Sequence, residues 1–479
     1  MVSVKEKFVA GVFYMALAKY SNIVIQLVIT AILARLLTPE DFGAVAISTV
    51  LITFFQLLSD AGFSPAIIQN KNLEKKDLDS IFSTCFYIGL IVALMIFALA
   101  TYISDFYSIN VLENIFKLLS VCCLFTCLNI VPESLLKRNK KFRFIATRTI
   151  FINLCCGCIA VVTAYYGLGV YSLLITPICS SIVVFVVNYY QNPLKIMPPL
   201  QCKVGLYKVI NYSIYQFLYN IVNYFSRNLD KLVVGKVLGS SLLGFYEKSY
   251  HLMMVPVANL SNVVAPAIQP FFSDKQNDTQ WMFCNSCKIL HFLALFSFPL
   301  SVFCFFAAEE IILIFFGEQW EAAVMPFKIL SLSVGFQVIY SPQGAFYQAA
   351  NSTKKLFTSG LFVALLNVVA IIVGVIITRS LDILCYGVVL TYIVSFFYVY
   401  YILVVRLYRK RFVDFILEFK KPFIIALILA LVMLVLGEYM NVHNLVFSFV
   451  LKILVFAIAY IILILLLKEK QFFYLLYKK

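Results

Sequence analysis

The sequence predicts an all-α integral membrane protein of about 14 transmembrane helices. Two parallel six-helix lobes surround a central cavity, and two extra helices follow at the C-terminal end. Three observations carry this expectation. Of 479 residues, 62% are hydrophobic and only 13% charged, against about 25% in soluble domains. The mean hydropathy of +0.94 makes the bilayer the solvent. The apolar runs do not alternate, and in lipid every backbone group needs an internal partner, so the runs are helices. Finally, the chain resembles itself at an offset of 201 residues.

Breaking the chain at charges, prolines and polar clusters gives spans at 9–36, 42–68, 81–103, 111–136, 149–166, 169–190, 207–236, 242–271, 285–307, 322–350, 357–378, 383–405, 422–437 and 444–467. The opening "MVSVKEKFVAGVFYMALAKYSNIVIQ" is too long for a signal peptide, contains Lys19 and lacks a small-x-small cleavage site. It reads as a retained first span. The segments are then an N-lobe at 1–190, a cytoplasmic linker at 191–206 and a C-lobe at 207–405. A basic cytoplasmic loop at 406–421 and the C-terminal helices and tail at 422–479 complete the chain.

Most of the 38 Lys and Arg fall in the N-terminus, in alternate loops or at the C-terminus, as in "LLKRNKKFRF" (135–144) and "VRLYRKRFV" (405–413). The opposite loop "AAEEIILIFFGEQWE" (307–321) carries four Glu and no cation. The positive-inside rule places both termini in the cytoplasm. The net charge of +15 is thus a topology signal, and no soluble basic face exists for nucleic acid. No loop is long enough to house a catalytic domain.

Of the 13 cysteines, most lie inside apolar runs, where cysteine behaves as a small hydrophobe. Cys284-x2-Cys287-x3-His291 has metal-like spacing, but no second cluster completes it. No metal, cofactor or disulfide framework is expected.

At the offset of 201, Leu37 meets Leu238, Gly43 meets Gly244, Asn22 meets Asn223, and Pro65-Ala66-Ile67 meets Pro266-Ala267-Ile268. The register is kept by Gly and Pro, whose places have backbone reasons. Six spans per copy is an even number, so both copies enter the membrane in the same direction. The last two spans have no counterpart.

Both copies carry a polar ridge on the corresponding helix. Ser213, Gln216, Asn220, Asn223, Arg227, Asp230 and Lys231 share an arc of roughly 100°, and Lys19, Asn22, Gln26 and Thr30 one of about 80°. A charge at the bilayer centre costs about 2.5–3.5 kcal/mol on insertion scales, so three cations facing lipid are excluded. Asp230 neutralises one of them. The ridges either glue helices together or line a water-filled, net positive cavity suited to an anionic cargo, where Arg offers a planar fork to phosphate. Pro65, Pro132, Pro177, Pro256, Pro266, Pro299, Pro326 and Pro342 lie within or at the ends of spans and can bend them.

"ARLLTPEDFGAVAISTVLITFFQLLSDAGFSPAIIQ" (34–69) resembles the opening of Wzx-type polysaccharide repeat-unit flippases, in the branch of the colanic acid and teichuronic acid exporters. "RNLDKLVVGKVLGSSLLGFYEKSYHLMMVP" (227–256) resembles the start of that family's second half, and "VPESLLKRNKKFRF" (131–144) its fourth span and following loop. These flippases belong to the multidrug/oligosaccharidyl-lipid/polysaccharide exporter superfamily. The resemblance implies two six-helix lobes and translocation of an undecaprenyl-diphosphate-linked oligosaccharide across the bacterial cytoplasmic (inner) membrane. It implies a transporter and no enzyme, working beside a polysaccharide polymerase and assembly proteins. On this reading Lys19, Arg227 and Lys231 meet the anionic diphosphate, while Asn22, Gln26, Asn220 and Asn223 meet sugar hydroxyls. Asp230 positions a cation or carries a coupling proton. The main alternative is a multidrug or ion-coupled exporter of the same superfamily, which for cationic drugs needs buried carboxylates. A glycan polymerase needs a long outward loop with Arg and His. A lipid-linked peptidoglycan precursor flippase shares the physics and is set apart by the resemblance alone.

Overall fold

The computed structural model describes residues 4–60, 63–70, 72–198, 224–225, 227–276, 278–439 and 444–467. Among them the regular elements are all helical. By contacts the chain divides into two compact units, residues 1–244 and 245–479.

The first unit runs α1 (Val4–Leu36), α2 (Pro39–Asp60), α3 (Phe63–Gln69), α4 (Lys75–Tyr107), α5 (Val111–Arg138), α6 (Phe142–Tyr165) and α7 (Tyr171–Gln191), then α8 (227–237) and the first turn of α9 (Ser240–Ser273). Local chemistry sets the starts. Pro39 occupies the first position of α2, where its missing N–H costs nothing. Thr38 caps that helix: its N–H donates to Asp41 Oδ2 at 3.0 Å, and Asp41 N–H donates to Thr38 Oγ1 at 3.3 Å. Glu74 and Asp77 form the same reciprocal box on α4.

Close packing needs small side chains here. A Cβ on Gly89 of α4 would lie 2.7 Å from Cys127 Cβ of α5. One on Gly157 of α6 would lie 2.0 Å from Ile29 Cδ1 of α1. Cys85, Cys122, Cys123, Cys127 and Cys156 are buried among these contacts, as small hydrophobes are. Of the expected linker at 191–206, residues 194–197 lie along α4. Lys195 N–H donates to Asp79 Oδ1 at 2.9 Å, Met197 N–H to Ser83 Oγ at 2.7 Å, and Tyr87 O–H to the Met197 carbonyl at 3.1 Å.

The second unit continues with α9 and then α10 (Thr279–Phe306), α11 (Ala308–Phe316), a 3₁₀ turn (Glu318–Ala323), α12 (Val324–Ser331), α13 (Val334–Tyr340) and α14 (Gln343–Ala349). It ends with α15 (Thr353–Ile371), α16 (Leu381–Tyr401), α17 (Phe412–Leu417), α18 (Lys420–Tyr439) and α19 (Leu445–Leu466). Two expectations are corrected here. The acidic stretch 307–321 is largely helix, and the single span expected at 322–350 is broken into three short helices. Pro342, which cannot continue the backbone ladder, stands at the second break.

Among the described residues, eleven helices are long and apolar enough to cross a membrane, or twelve if Glu318–Ser331 and Val334–Ala349, bent by 51°, are one span. A count taken over the described residues does not confirm the expected fourteen. The span at 207–236 lies largely outside the described residues. The 34-residue α9 is not among the eleven, and its side chains at 262–267 and 269–270 also lie outside the described residues.

Of the two appended helices, α19 is tied to the rest of the second unit by polar contacts. Lys452 of α19 pairs with Glu310 of α11 and donates to the Phe306 carbonyl at 2.8 Å, and Ser448 donates to Glu310 Oε1 at 2.7 Å. Tyr460 donates to the Leu295 carbonyl at 2.9 Å. Lys452→Ala should therefore loosen α19 by leaving Glu310 buried without its cation. Limited proteolysis of detergent-purified protein should release α19 faster in the variant; an unchanged rate would mean that apolar packing alone seats α19.

His291, singled out for its spacing from Cys284 and Cys287, is buried. Its Nδ1–H donates to the Glu418 carbonyl at 2.6 Å, so the ring ties α10 to the residue following α17.

Candidate functional site

α1 exposes two opposite faces. Tyr20, Val24, Val28 and Ile32 form an apolar exposed stripe. Lys19 and Gln26, also exposed, lie roughly 180° around the helix from the middle of that stripe. An apolar stripe facing lipid needs no explanation, whereas a cation and an amide exposed on the opposite side require water or a polar ligand. Asn22 lies between the polar arc and α6 and is half-buried. It accepts from Asn153 Nδ2 at 3.1 Å, and this bond anchors α1 to α6.

α8 packs within the same unit on α2 and on the end of α4. Just before α8, Tyr224 donates to the Val50 carbonyl at 2.6 Å, and Phe54 meets Phe225 with ring centroids 4.8 Å apart. Tyr107 donates to the Leu232 carbonyl at 3.4 Å, and Lys236 donates to the Phe106 carbonyl with its Nζ 4.5 Å from that ring's centroid. Gly235 brings the backbone against Ile47: a Cβ there would lie 2.9 Å from the Ile47 side chain. With α8 fixed in this way, Arg227 is exposed, and Asp230 and Lys231 are half-buried. Asn220 and Asn223 lie outside the described residues. Lys19, Asn22 and Gln26 thus sit on one helix pair of the first unit, and Arg227, Asp230 and Lys231 on another group of helices in it.

The 201-residue repeat has a physical counterpart. A Cβ on Gly43 would lie 1.8 Å from the Ser240 carbonyl oxygen, and one on Gly244 would lie 2.0 Å from the Pro39 carbonyl oxygen. Pro39 and Ser240 are related by the same offset as Gly43 and Gly244 (240 − 39 = 244 − 43 = 201). Each glycine therefore packs on the repeat partner of the residue four before it, the reciprocity of a local two-fold axis. All four residues belong to the first unit. Glycine is required because the backbones touch.

Two polar groups went unseen in the sequence. The first joins α5, α6 and α7. Arg148 pairs with Glu133 at 3.1 Å and also donates to Asn188 Oδ1. Asn188 Nδ2 donates to Asn129 Oδ1 at 2.7 Å and to Glu133 Oε2 at 2.8 Å. Asn188 is wholly buried and the Arg148 side chain is 7% exposed. The span boundary expected at 149 left Arg148 in a loop; a start at 142 would have put it on a membrane helix in need of a carboxylate. The second is the polar side of α9, with Glu247, Lys248, Tyr250 and His251, which the match to "GFYEKSYH" contained but did not explain.

Residues 32–325 match the family described as Polysaccharide biosynthesis protein. The chain is 24% identical over 468 residues to the "Uncharacterized membrane protein in cps region" of Klebsiella pneumoniae, covering 97% of this chain and 96% of that one. It is 23% identical over 446 residues to the "Lipopolysaccharide biosynthesis protein WzxC" of Escherichia coli (strain K12), covering 91% and 89%. A solved structure of the lipid II flippase MurJ in an inward closed conformation superposes with a TM-score of 0.74 at 16% identity, covering 94% of this chain and 97% of that one. That likeness shows a shared fold. With the match spanning more than half of its length, this multi-pass membrane protein belongs to the Polysaccharide biosynthesis protein family.

Proposed function

We propose that the protein is a flippase that moves an undecaprenyl-diphosphate-linked oligosaccharide across the bacterial cytoplasmic membrane for surface polysaccharide synthesis. The observation that carries this reading is the exposure of Lys19 and Gln26 opposite the apolar stripe of α1, in a chain whose relatives serve polysaccharide biosynthesis. A water-reached cation on a membrane helix suits a diphosphate head group, and Arg227 and Lys231 add the second cluster. Gln26, Asn220 and Asn223 serve sugar hydroxyls, Asn22 holds α1 on α6 beside them, and Asp230 holds a neighbouring cation or a coupling proton. Both termini lie in the cytoplasm. The lobes are residues 1–190 and 207–405, and they rock to expose the site to each side in turn while the lipid tail stays in the bilayer. No covalent step is involved.

Lys19→Ala, Arg227→Ala and Lys231→Ala should each reduce export of the surface glycan, and the triple variant should abolish it. Glycan on intact cells is the readout, with membrane insertion checked by blotting. Full export by all three single variants and the triple variant would end the assignment of these cations.

A further inference from the structure

We propose that the second unit carries a saccharide-binding subsite built from Tyr250 of α9, Tyr340 of α13 and Tyr392 of α16, which stacks on and hydrogen-bonds the sugar rings of the cargo. The inference rests on the flippase reading and deepens it, because it adds a group of sugar contacts that carries no cation for the diphosphate.

The three tyrosines meet. The Tyr250 and Tyr392 hydroxyls are 3.2 Å apart, and the rings of Tyr340 and Tyr392 lie 6.3 Å between centroids at 75°. Tyr250 in turn rests on the wholly buried Tyr246, with ring centroids 5.8 Å apart. All three are half-buried, so solvent reaches them. That solvent-reached side is not the lipid side. On α16 the exposed apolar stripe is Ile383, Tyr386, Leu390, Phe397 and Tyr401, and Tyr392 lies roughly 160° around the helix from its middle. Among the described residues of α9, Phe271 alone is a large exposed hydrophobe, and α13 and α14 have none. Faces that show few large exposed apolar side chains among the described residues, yet carry aromatic rings with hydroxyls, border water.

The setting is also rigid. Tyr400 donates to the Ile339 carbonyl at 2.6 Å and Phe336 packs on Phe396, which fixes α13 on α16. Ser249 donates to the Ala323 carbonyl at 2.9 Å, and Gln337 Nε2 contacts Met253 Sδ at 3.0 Å, which fixes α9. Rings held in this way lose little entropy on binding. A tyrosine ring offers an apolar face to the C–H face of a pyranose, and its hydroxyl both donates and accepts, as sugar hydroxyls do. Glu247, one turn before Tyr250 on the same face, adds a carboxylate, the chemistry that accepts from sugar hydroxyls.

The test compares two probes on purified full-length protein: bare undecaprenyl diphosphate, and undecaprenyl diphosphate carrying one hexose. Wild type should bind the glycosylated probe more tightly. Tyr250→Phe, Tyr392→Phe and Tyr340→Leu should each weaken it about tenfold, the scale of a lost hydrogen bond or stack, while the bare probe binds as before. Arg227→Ala should weaken both probes. Equal affinity of wild type for the two probes, or equal losses on both from the tyrosine variants, would overturn the subsite and leave the tyrosines as helix-to-helix struts. If wild type binds neither probe, the flippase reading falls, and the subsite with it.

Discussion

Glu133→Leu should destabilise the first unit by about 3–5 kcal/mol, the usual result of removing one partner from a buried ion pair. The change leaves Arg148, whose side chain is 7% exposed, with Asn188 as its remaining strong acceptor. Arg148→Met should be milder. Lys137 stays 3.5 Å from Glu133 Oε1, and Asn188 still donates to Oε2, so the carboxylate keeps a cation and an amide. The double variant Glu133→Leu/Arg148→Met should recover most of the loss, because the cost of a buried pair lies in desolvating it, and apolar residues of similar volume remove that cost. Thermal loss of monodispersity in detergent ranks the three proteins. A Glu133→Leu protein as stable as wild type would show that water reaches the pair, and a double variant worse than both singles would show that the network does more than join α5, α6 and α7.

That network also shows where reading the sequence stops. Apolar runs announce membrane helices because lipid admits no other backbone, and the described helices overlap the expected spans closely on that ground. Gly43 and Gly244 were legible as a repeat because glycine at a backbone contact tolerates no substitute. Arg148 was not, since a cation near the end of an apolar run reads as loop until its partner is known, and Glu133 and Asn188 stand 15 and 40 residues away. The break at 331–334 was invisible for a different reason. Ser331, Ser333 and Gln337 look like ordinary helix polar residues, and only tertiary contacts show them buried. The polar ridge of α1 was legible from spacing alone; which of its members meets water and which, like Asn22, bonds a neighbouring helix is a matter of packing.

Gly43→Ala and Gly244→Ala should each cut export at least tenfold while the protein still inserts. Ordinary contact for a methyl begins at 3.4 Å, whereas here the Cβ would stand 1.8 or 2.0 Å from a backbone carbonyl oxygen. Backbone cannot swing aside as a flexible side chain can, so the turns must part by about 1.5 Å, and a packed contact that close does not deform continuously. If transport requires this contact to form and release in each cycle, blocking its formation stalls the cycle. The local two-fold adds a sharper expectation: the two variants should behave alike, and the double variant should add little, because either one already parts the same pair of turns. Gly360→Ala is the control, since nothing lies within 4 Å of its Cβ and alanine favours helix. Full export by Gly43→Ala would mean that the contact is incidental to transport. Loss from Gly43→Ala alone, with Gly244→Ala fully active, would remove the two-fold from the mechanism and leave it as a relic of the duplicated sequence.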